Sequence, residues 1–132
     1  MEPSFPTILR RYLSTTIDTF LIAATFLIVP SILYQNTESA RIARIVILFS
    51  MLLIYEPLCT SKLCTIGQLI TGIRVRRRKD YRKISIFSAY VRIIVKSLLG
   101  VISFFTIPFT KEKRAIHDFA VDSVVILLKV RT

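Results

Sequence analysis

The feature that most constrains this chain is a run of 22 residues, Leu13–Tyr34, in which Asp18 is the only charged residue. A helix of about 20 apolar residues spans the hydrocarbon core of a bilayer, whereas a soluble domain of this size has too small a core to bury such a run. We therefore predict a membrane-spanning helix over residues 13–34. Pro30 lies near its far end, where it can kink the helix.

Two more apolar segments follow in the sequence. Residues 42–58 predict a second spanning helix, which comes after the polar connection 35–41. Residues 88–109 form a third hydrophobic segment, but Arg92 and Lys96 interrupt it, and its charge-free part, 97–109, corresponds to only about 20 Å of helix. The third segment either crosses the membrane with its basic residues reaching toward the interface, or re-enters the membrane and returns among the other helices.

The charge distribution predicts the orientation. Hydrophobic residues make up 53% of the chain, the mean hydropathy is +0.60 and the formal net charge is +11. High apolarity combined with strong positive charge indicates a membrane protein with basic cytoplasmic edges. Between Ser61 and Lys96 the only acidic residue is Asp80, so we expect a multi-pass cytoplasmic-membrane protein with this connection and both termini in the cytoplasm. That orientation favours the re-entrant form of the third segment.

Two local patterns organise the basic cytoplasmic region, residues 61–87. TIGQLITG (65–72) is short and amphipathic, which predicts a helix lying on the membrane surface. IRVRR and KISIF, residues 73–77 and 83–87, alternate apolar and polar side chains, which predicts a two-stranded β-hairpin. The sequence thus predicts one all-α membrane domain over residues 1–132, with two spanning helices, a third hydrophobic segment and a small cytoplasmic β-hairpin.

The C-terminal segment, residues 111–132, is also predicted to be cytoplasmic. It opens with the basic and partly helical stretch KEKRAIHDFAVD (111–122). It closes with SVVILLKV (123–130), a run rich in β-branched residues that is typical of a strand.

Basic residues dominate the loop that follows IRV. A solvated positive-inside loop is the simplest interpretation. The functional alternative is contact with anionic lipid headgroups, which contributes about 1 kcal/mol per basic residue near the surface. Nucleic-acid binding is disfavoured, because the run contains a single aromatic residue and no recognisable binding fold. The residues predicted to contact headgroups are Arg76, Arg77, Arg78, Lys79, Arg82 and Lys83.

Asp18 needs a partner, because an unpaired charge at membrane depth costs roughly a few kcal/mol. Arg11 lies on the same helix face, but seven residues correspond to about 10.5 Å of rise, so direct contact requires fully extended side chains. A partner from another segment is expected for at least one of the two residues. We predict a polar cluster, structural or linked to ion binding, formed by Arg11, Asp18, Glu56, Arg92 and Asp118.

Several short motifs in a fixed order resemble a known family. Arg11 is followed by Asp18 in RYLSTTID, then by TIGQLITGIRV, by an A-x-x-R at residues 89–92 and by IHDFAVDSVV. In their order and spacing these motifs resemble the RDD family of small membrane proteins. The resemblance extends over nearly the whole chain, from Arg11 to Val125.

The resemblance implies a protein of the cytoplasmic membrane with about three hydrophobic segments. The family is named for one arginine and two aspartates, which correspond to Arg11, Asp18 and Asp118. The sequence departs from the family pattern at Gln68, where a basic residue is common, and at residues 122–123, where Gly-Thr is usual. The family has no single defined biochemical role, and transport is proposed for some of its members.

Two functions fit these residues. In the first, the predicted cluster is a buried clasp in an accessory or scaffold protein, because buried ion pairs can specify one arrangement of a chain. In the second, Asp18 binds a proton or Na⁺ in a transporter or exchanger. Two or three spans cannot enclose a pathway, so a transporter would require several copies to assemble. The expected partners are the bilayer, anionic headgroups, and a second copy or another membrane protein.

An enzyme is not expected. The sequence contains no recognisable pair of a nucleophile and a general base. The glycines of GQLITG are not followed by the Lys-Ser/Thr that ends a phosphate-binding loop. Cys59 and Cys64 have a spacing that fits neither a redox motif nor a usual zinc pair, and the single histidine, His117, lies far away. The sequence therefore predicts no cofactor and no metal site.

Overall fold

The computed structural model describes residues 3–128 of the chain. Within this range the fold is mostly helical, with one small antiparallel sheet of two strands. Residues 129–132, which include the end of the predicted C-terminal strand, lie outside the described range. The elements are α1 (Ile8–Ile32), α2 (Glu38–Ser50), α3 (Glu56–Lys62), α4 (Ile66–Thr71), β1 (Ile73–Arg77), α5 (Ile86–Leu99), α6 (Ile116–Ala120) and β2 (Ser123–Leu127).

The first helix begins earlier than predicted. Helix α1 starts at Ile8, five residues before the predicted Leu13, and therefore takes in Arg11. The side chain of Thr7 caps it by accepting a hydrogen bond from the backbone N–H of Arg10 at 3.4 Å. Its 25 residues give about 37 Å of helix, which is more than the hydrocarbon core of a bilayer.

The second predicted helix contains a π turn. Residues 38–62 form a nearly continuous helical segment in which α2 and α3 flank the π-helical turn Met51–Tyr55. Pro57 follows this turn, and because proline has no amide N–H and its ring crowds the carbonyl four residues earlier, a regular α-helix is disfavoured here. The predicted span 42–58 lies within this longer segment.

Large apolar side chains cover the outer faces of the helices. Leu27 and Leu98 are 75% and 79% exposed, and many other Leu, Ile and Phe side chains are exposed in the same way. Such surfaces are a liability in water, whereas in a bilayer they contact lipid. The fold is therefore consistent with a membrane protein. The segments that are long and apolar enough to cross a membrane, by length and composition, are Ile8–Ile32, Glu38–Thr71 and Ile86–Phe104.

The third hydrophobic segment turns back on itself. Helix α5 begins two residues before the predicted segment 88–109 and ends at Leu99. Gly100 follows with a φ of 55°, a left-handed conformation that glycine adopts without strain. The 3₁₀ turn after it brings Ser103 into contact with His117. The chain after α5 therefore returns toward α6.

The predicted β-hairpin is wrong. Strand β1 forms as predicted, but its antiparallel partner is β2, with Val75 opposite Val125. Residues 83–87 instead lead into α5, whose start is capped by the side chain of Ser85. Strand β2 is the better partner because its β-branched residues are covered on both faces, Val125 in the core and Val124 on the opposite side. The antiparallel, two-stranded sheet and the C-terminal strand within residues 123–127 are confirmed.

The sheet, α4, α6 and the segment before α1 gather at one end of the molecule. The backbone N–H of Leu127 donates to the carbonyl of Ser4 at 2.9 Å, and that of Leu128 donates to the carbonyl of Gly72 at 2.8 Å. The turn between α1 and α2 lies at the far end of these two long helices. A small apolar core beneath the sheet consists of Ile73, Val75, Ile84, Ala89 and Val125.

Candidate functional site

Asp118 is the centre of a buried ion-pair cluster. Its side chain is fully buried, and NH2 of Arg11 lies 2.5 Å from its Oδ2 while NH2 of Arg92 lies 2.8 Å from its Oδ1. The three residues belong to α1, α5 and α6, so the carboxylate joins helices that are far apart in sequence. Burial alone would raise the pKa of Asp118, but the two guanidinium groups hold that pKa well below its usual range.

Two hydrogen bonds from nearby residues fix Asp118 in this position. It lies in the first turn of α6, where its Oδ2 accepts the backbone N–H of Ala115 at 3.0 Å. Ser123, at the start of β2, donates to Oδ1 at 3.4 Å. Arg11 is held independently, because its NH1 donates to the carbonyl of Lys113 at 2.6 Å. Helix α1 is therefore tied both to α6 and to the turn that precedes it.

Asp18 is held by three neutral donors. Its carboxylate accepts hydrogen bonds from the hydroxyl of Thr65 at 2.6 Å, the backbone N–H of Gly67 at 2.9 Å and the hydroxyl of Tyr55 at 3.2 Å. Thr65 also caps α4 by accepting the N–H of Gln68. None of the ion pairs among residues 3–128 includes Asp18. Asp18 therefore ties α1 to the π turn of the second helical segment and to α4.

Gly67 allows α4 to approach α1 this closely. A Cβ atom at this position would lie 2.1 Å from the backbone oxygen of Ser14 and 2.8 Å from Oδ2 of Asp18. The helix predicted in TIGQLITG is thus present as α4, with one face packed on α1. On its other face, Leu69 and Ile70 are 60% and 65% exposed. Its position at the membrane surface stays a prediction.

Glu56 and Lys96 form a third link, between α3 and α5. Nζ of Lys96 lies 2.6 Å from Oε1 of Glu56, and both side chains are about one-fifth exposed. Lys96 follows Arg92 by one turn on the same face of α5, so these two cations reach α3 and α6 respectively. Sequence patterns place Lys96 on this face but give no reason to include it in the cluster.

A small polar cavity lies between these three links. Its volume is about 40 Å³, which is enough for a water molecule or a small ion. Asp118 does not line it but contacts two residues that do. Gln68 also lines it, and the side-chain oxygen of this buried residue has no hydrogen-bond partner within residues 3–128. The members of the predicted cluster in its wall are Arg11, Asp18, Glu56 and Arg92.

The structure separates Arg11 from Asp18. Arg11 pairs with Asp118, and Asp18 binds donors from the second helical segment and α4, so each has partners from another part of the chain. Of the five residues predicted to converge, Arg11 and Arg92 both contact Asp118. Asp18 and Glu56 make separate contacts along the cavity wall.

Arg114 is a buried residue of this site that sequence reasoning missed. Its Nε donates to the carbonyl of Ser123 at 3.0 Å, and its NH2 lies 2.9 Å from Oδ1 of Asp122. Its guanidinium carbon lies 4.3 Å from the centre of the Phe119 ring, a cation–π contact. Arg114 thereby holds α6 against β2. In the sequence it stands beside the other basic residues of KEKR, and nothing in that stretch distinguishes it from them.

A serine, a histidine and an aspartate are neighbours here, as they are in a catalytic triad, but they lack the hydrogen-bond geometry of a triad. They are Ser103, His117 and Asp118. Oγ of Ser103 contacts Nδ1 of His117, but Nε2 of His117 lies 3.7 Å from Oδ1 of Asp118, which is too far for a hydrogen bond. Burial lowers the pKa of His117 to about 2 although the nearby Asp118 opposes the shift, so the imidazole is neutral. These side chains fasten the third segment to α6. That the chain is not an enzyme stays a prediction.

The two cysteines are free thiols. Cys59 lies in α3 and Cys64 just after it. Within residues 3–128 no group of three or more His, Cys, Asp or Glu side chains is placed to hold a metal ion. The expectation that no cofactor is bound stays a prediction.

The basic residues predicted to contact headgroups fall into two groups. Arg77 and Arg82 lie 3.6 Å and 3.9 Å from Asp80, and Arg78 lies 2.8 Å from Glu112. The remaining three belong to no ion pair among residues 3–128. They are Arg76, Lys79 and Lys83.

Both carboxylate sites lie in a part of the chain that matches a known family. The match is to the model of the RDD family and covers residues 5–122. This range contains Arg11, Asp18 and Asp118, on which the sequence resemblance depends. No curated protein and no solved structure matches the chain. With nearly its whole length covered by the family model, the chain belongs to the RDD family.

Proposed function

We propose that the chain is an accessory or scaffold protein of the cytoplasmic membrane, held in one arrangement by its buried polar residues. The observation that carries this proposal is that each carboxylate around the cavity is compensated. Asp118 binds two arginines, Glu56 binds Lys96, and Asp18 accepts three neutral hydrogen bonds. Each of these contacts joins different helical segments. Buried pairs of this kind can specify one packing arrangement without adding much stability.

The proposal places the end that carries the sheet in the cytoplasm and the turn between α1 and α2 outside. The basic residues around β1 support this orientation, because positive charge collects on the cytoplasmic side of membrane proteins. Helix α5 has 14 residues, about 21 Å, which is shorter than a bilayer core of roughly 30 Å. Together with the return of the chain after Gly100, this length supports a re-entrant third segment and cytoplasmic termini.

A scaffold of this kind acts through its outer surface. The interior is occupied by fixed polar contacts, whereas the outward faces of α1, α2 and α5 carry exposed apolar side chains. Those faces are suited to lipid and to the helices of a second copy or of another membrane protein, which pack through van der Waals contact in the bilayer.

Transport by an oligomer is the alternative function, and the cavity is the observation that favours it. The cavity has Asp18 and Glu56 in its wall together with Gln68, whose side-chain oxygen has no hydrogen-bond partner within residues 3–128. Such oxygen atoms could hold a proton-carrying water or Na⁺. An exchanger would have to loosen the three hydrogen bonds to Asp18 during each cycle, whereas a scaffold keeps them.

The Asp18→Asn variant separates the two functions. Asparagine keeps the shape of aspartate, but it cannot titrate, and its NH₂ group would face at least one of the three donors. The scaffold proposal predicts that the variant loses about 1–3 kcal/mol of unfolding free energy and assembles less well after reconstitution. Glu38→Gln is the matched control: it also neutralises a carboxylate, but the Glu38 side chain is 68% exposed, so stability and assembly should stay unchanged.

Flux measurements in proteoliposomes complete the test. The proposal expects no proton- or Na⁺-dependent flux with the wild-type protein. A variant that melts and assembles like the wild type, yet loses a flux that the wild type supports, would overturn the scaffold proposal in favour of transport.

A further inference from the structure

One face of the sheet carries two arginines, Arg74 and Arg76. They lie two residues apart on β1, so their side chains leave the strand on the same face. This is the face opposite to the one on which Val75 enters the apolar core. Directly across from Arg76 on β2 lies Val124, which is fully buried. The stem of Arg76 therefore crosses a covered apolar position.

No ion pair among residues 3–128 neutralises either arginine, whereas three other arginines of the same basic loop, Arg77, Arg78 and Arg82, have carboxylate partners. Within the described part of the chain, NH1 of Arg74 donates to two main-chain carbonyls, that of Ile73 at 2.8 Å and that of Gln68 at 3.4 Å. NH1 of Arg76 is buried and has no hydrogen-bond partner within the described residues. A buried donor without an acceptor is costly, and because Arg76 as a whole is only half-buried, its guanidinium can turn this group toward an anionic or polar oxygen at the surface.

The electrostatic environment of Arg76 also indicates that its positive charge is not compensated. Burial and the neighbouring charge of Arg74 lower the pKa of Arg76. The two arginines therefore form a site of excess positive charge, which an anion would relieve.

An exposed apolar surface lies beside this pair. Arg74 contacts the carbonyl of Gln68 in α4, and the next two residues of that helix, Leu69 and Ile70, are 60% and 65% exposed. Leu63, just before α4, is 70% exposed. A cationic pair next to exposed leucine and isoleucine matches the two parts of an anionic phospholipid, a phosphate and its acyl chains.

We propose that Arg74 and Arg76 bind the phosphate of an anionic phospholipid whose acyl chains lie along the exposed side of α4. Arginine suits this role because its planar guanidinium offers paired N–H groups to phosphate oxygens. Among the basic residues around β1, the site singles out Arg74 and Arg76 and leaves Arg77, Arg78 and Arg82 to their carboxylate partners. The inference rests on the membrane placement proposed above and does not depend on the scaffold role.

Native mass spectrometry of the full-length protein in mild detergent tests the site. The protein is incubated with equal amounts of phosphatidylglycerol and phosphatidylcholine, and the lipids retained on each protein are counted. The wild type should retain phosphatidylglycerol at least about fivefold over phosphatidylcholine, and Arg76→Gln and Arg74→Gln should each reduce that preference at least about threefold. Arg82→Gln removes the same charge from a side chain that is 84% exposed, and should change the preference by less than about twofold.

Several outcomes would overturn the proposal. Equal losses in Arg76→Gln and Arg82→Gln would indicate diffuse attraction by the whole basic loop. Displacement of the lipid by millimolar inorganic phosphate would assign the site to the free ion. If Arg76→Gln does not fold, the site is tested with Arg76→Lys and Arg74→Gln instead. Arg76→Lys should keep only part of the preference for phosphatidylglycerol, because lysine lacks the paired N–H groups of the guanidinium. The thermal midpoint and the oligomeric state are measured on the same samples. A failure of the scaffold proposal would appear in these two measurements and would leave the number of retained lipids unaffected.

Discussion

The two buried aspartates of this molecule are stabilised in different ways. Asp118 lies in the short helix α6 and is bound by the guanidinium groups of Arg11 and Arg92. Asp18 lies inside the long helix α1 and is bound by two hydroxyls and a backbone N–H. The first site joins three helices through charge, and the second joins α1 to α4 through neutral hydrogen bonds.

We explain this difference by the free energy that is required to bring a second charge into an apolar environment. Asp18 lies seven residues beyond Arg11, about 10.5 Å further along α1. A cation placed there would also have to be stripped of water, at a cost of several kcal/mol that its attraction to the carboxylate does not always repay. Hydroxyl and N–H donors cost less to bury and still satisfy the carboxylate. Neutral donors are therefore the better partners for the carboxylate that lies further into the helix.

The largest expected effect comes from Asp118→Asn. The change leaves two buried guanidinium groups without their anion, so we expect it to cost about 3–5 kcal/mol of unfolding free energy. Denaturation in detergent micelles followed by circular dichroism measures the loss. Asp122→Asn is the matched control, because that carboxylate is 61% exposed and its ion pairs should contribute less than about 1 kcal/mol. Equal small losses in the two variants would mean that the buried pairs do not hold the helices together.

Gly67→Ala tests the other region and should have a somewhat smaller effect. The added Cβ would lie 2.1 Å from the backbone oxygen of Ser14, so α4 must move away from α1 and lengthen the hydrogen bonds to Asp18. We expect a loss of about 2–3 kcal/mol, measured in the same way. Ile66→Ala, on the same helix at a side chain that is 45% exposed, should cost less than about half as much. A stable Gly67→Ala protein would contradict the close packing of α4 on α1.

Much of the fold could be predicted from local patterns. The apolar runs predict the long helices, and Thr65 and Gly72 mark the start and the end of α4, since threonine caps the first turn and glycine adopts the left-handed conformation at the end. The partner of β1 could not be predicted in this way. Val75 pairs with Val125, fifty residues further along the chain, and alternation of side chains specifies a strand without specifying its neighbour.

The sequence was sufficient to predict most of the charged residues that belong to the site, but it was not sufficient to predict which of them contact each other. Asp18 stands out because charge is rare in apolar segments, whereas Arg11 and Asp118 stand out through the motifs that resemble the family. Which of them touch depends on backbone features that periodicity does not reveal, such as the close approach at Gly67 and the π turn that ends at Tyr55 and places its hydroxyl beside Asp18. Neutral donors are the hardest partners to foresee, since hydroxyl residues occur throughout such helices.

The two regions should also differ in their response to pH. His117 belongs to the Asp118 region, where it is surrounded by Ser103, Phe104, Asp118 and Arg92, and burial lowers its pKa from 6.5 to about 2. Below pH 6.5 the unfolded chain binds a proton at this histidine that the folded protein does not bind. The free energy of unfolding therefore falls as the pH falls. Asp118 adds to the loss only below its ordinary pKa of 3.8, because its folded pKa is lower still.

The smallest predicted effect is the contribution of His117 to the pH dependence of the unfolding free energy. Between pH 6.5 and about pH 4.5 the histidine should cost the wild type roughly 2 kcal/mol of unfolding free energy. His117→Asn cannot titrate but keeps a polar group facing Ser103, so it should be less stable than the wild type at pH 8 and lose less stability on acidification. The measurement is the unfolding free energy of both proteins across this pH range, with Gly67→Ala as the control that lowers stability in the Asp18 region. Gly67→Ala should keep the pH slope of the wild type, because it leaves the surroundings of His117 unchanged. A slope that persists in His117→Asn would assign the pH dependence to other groups and would remove this difference between the two regions.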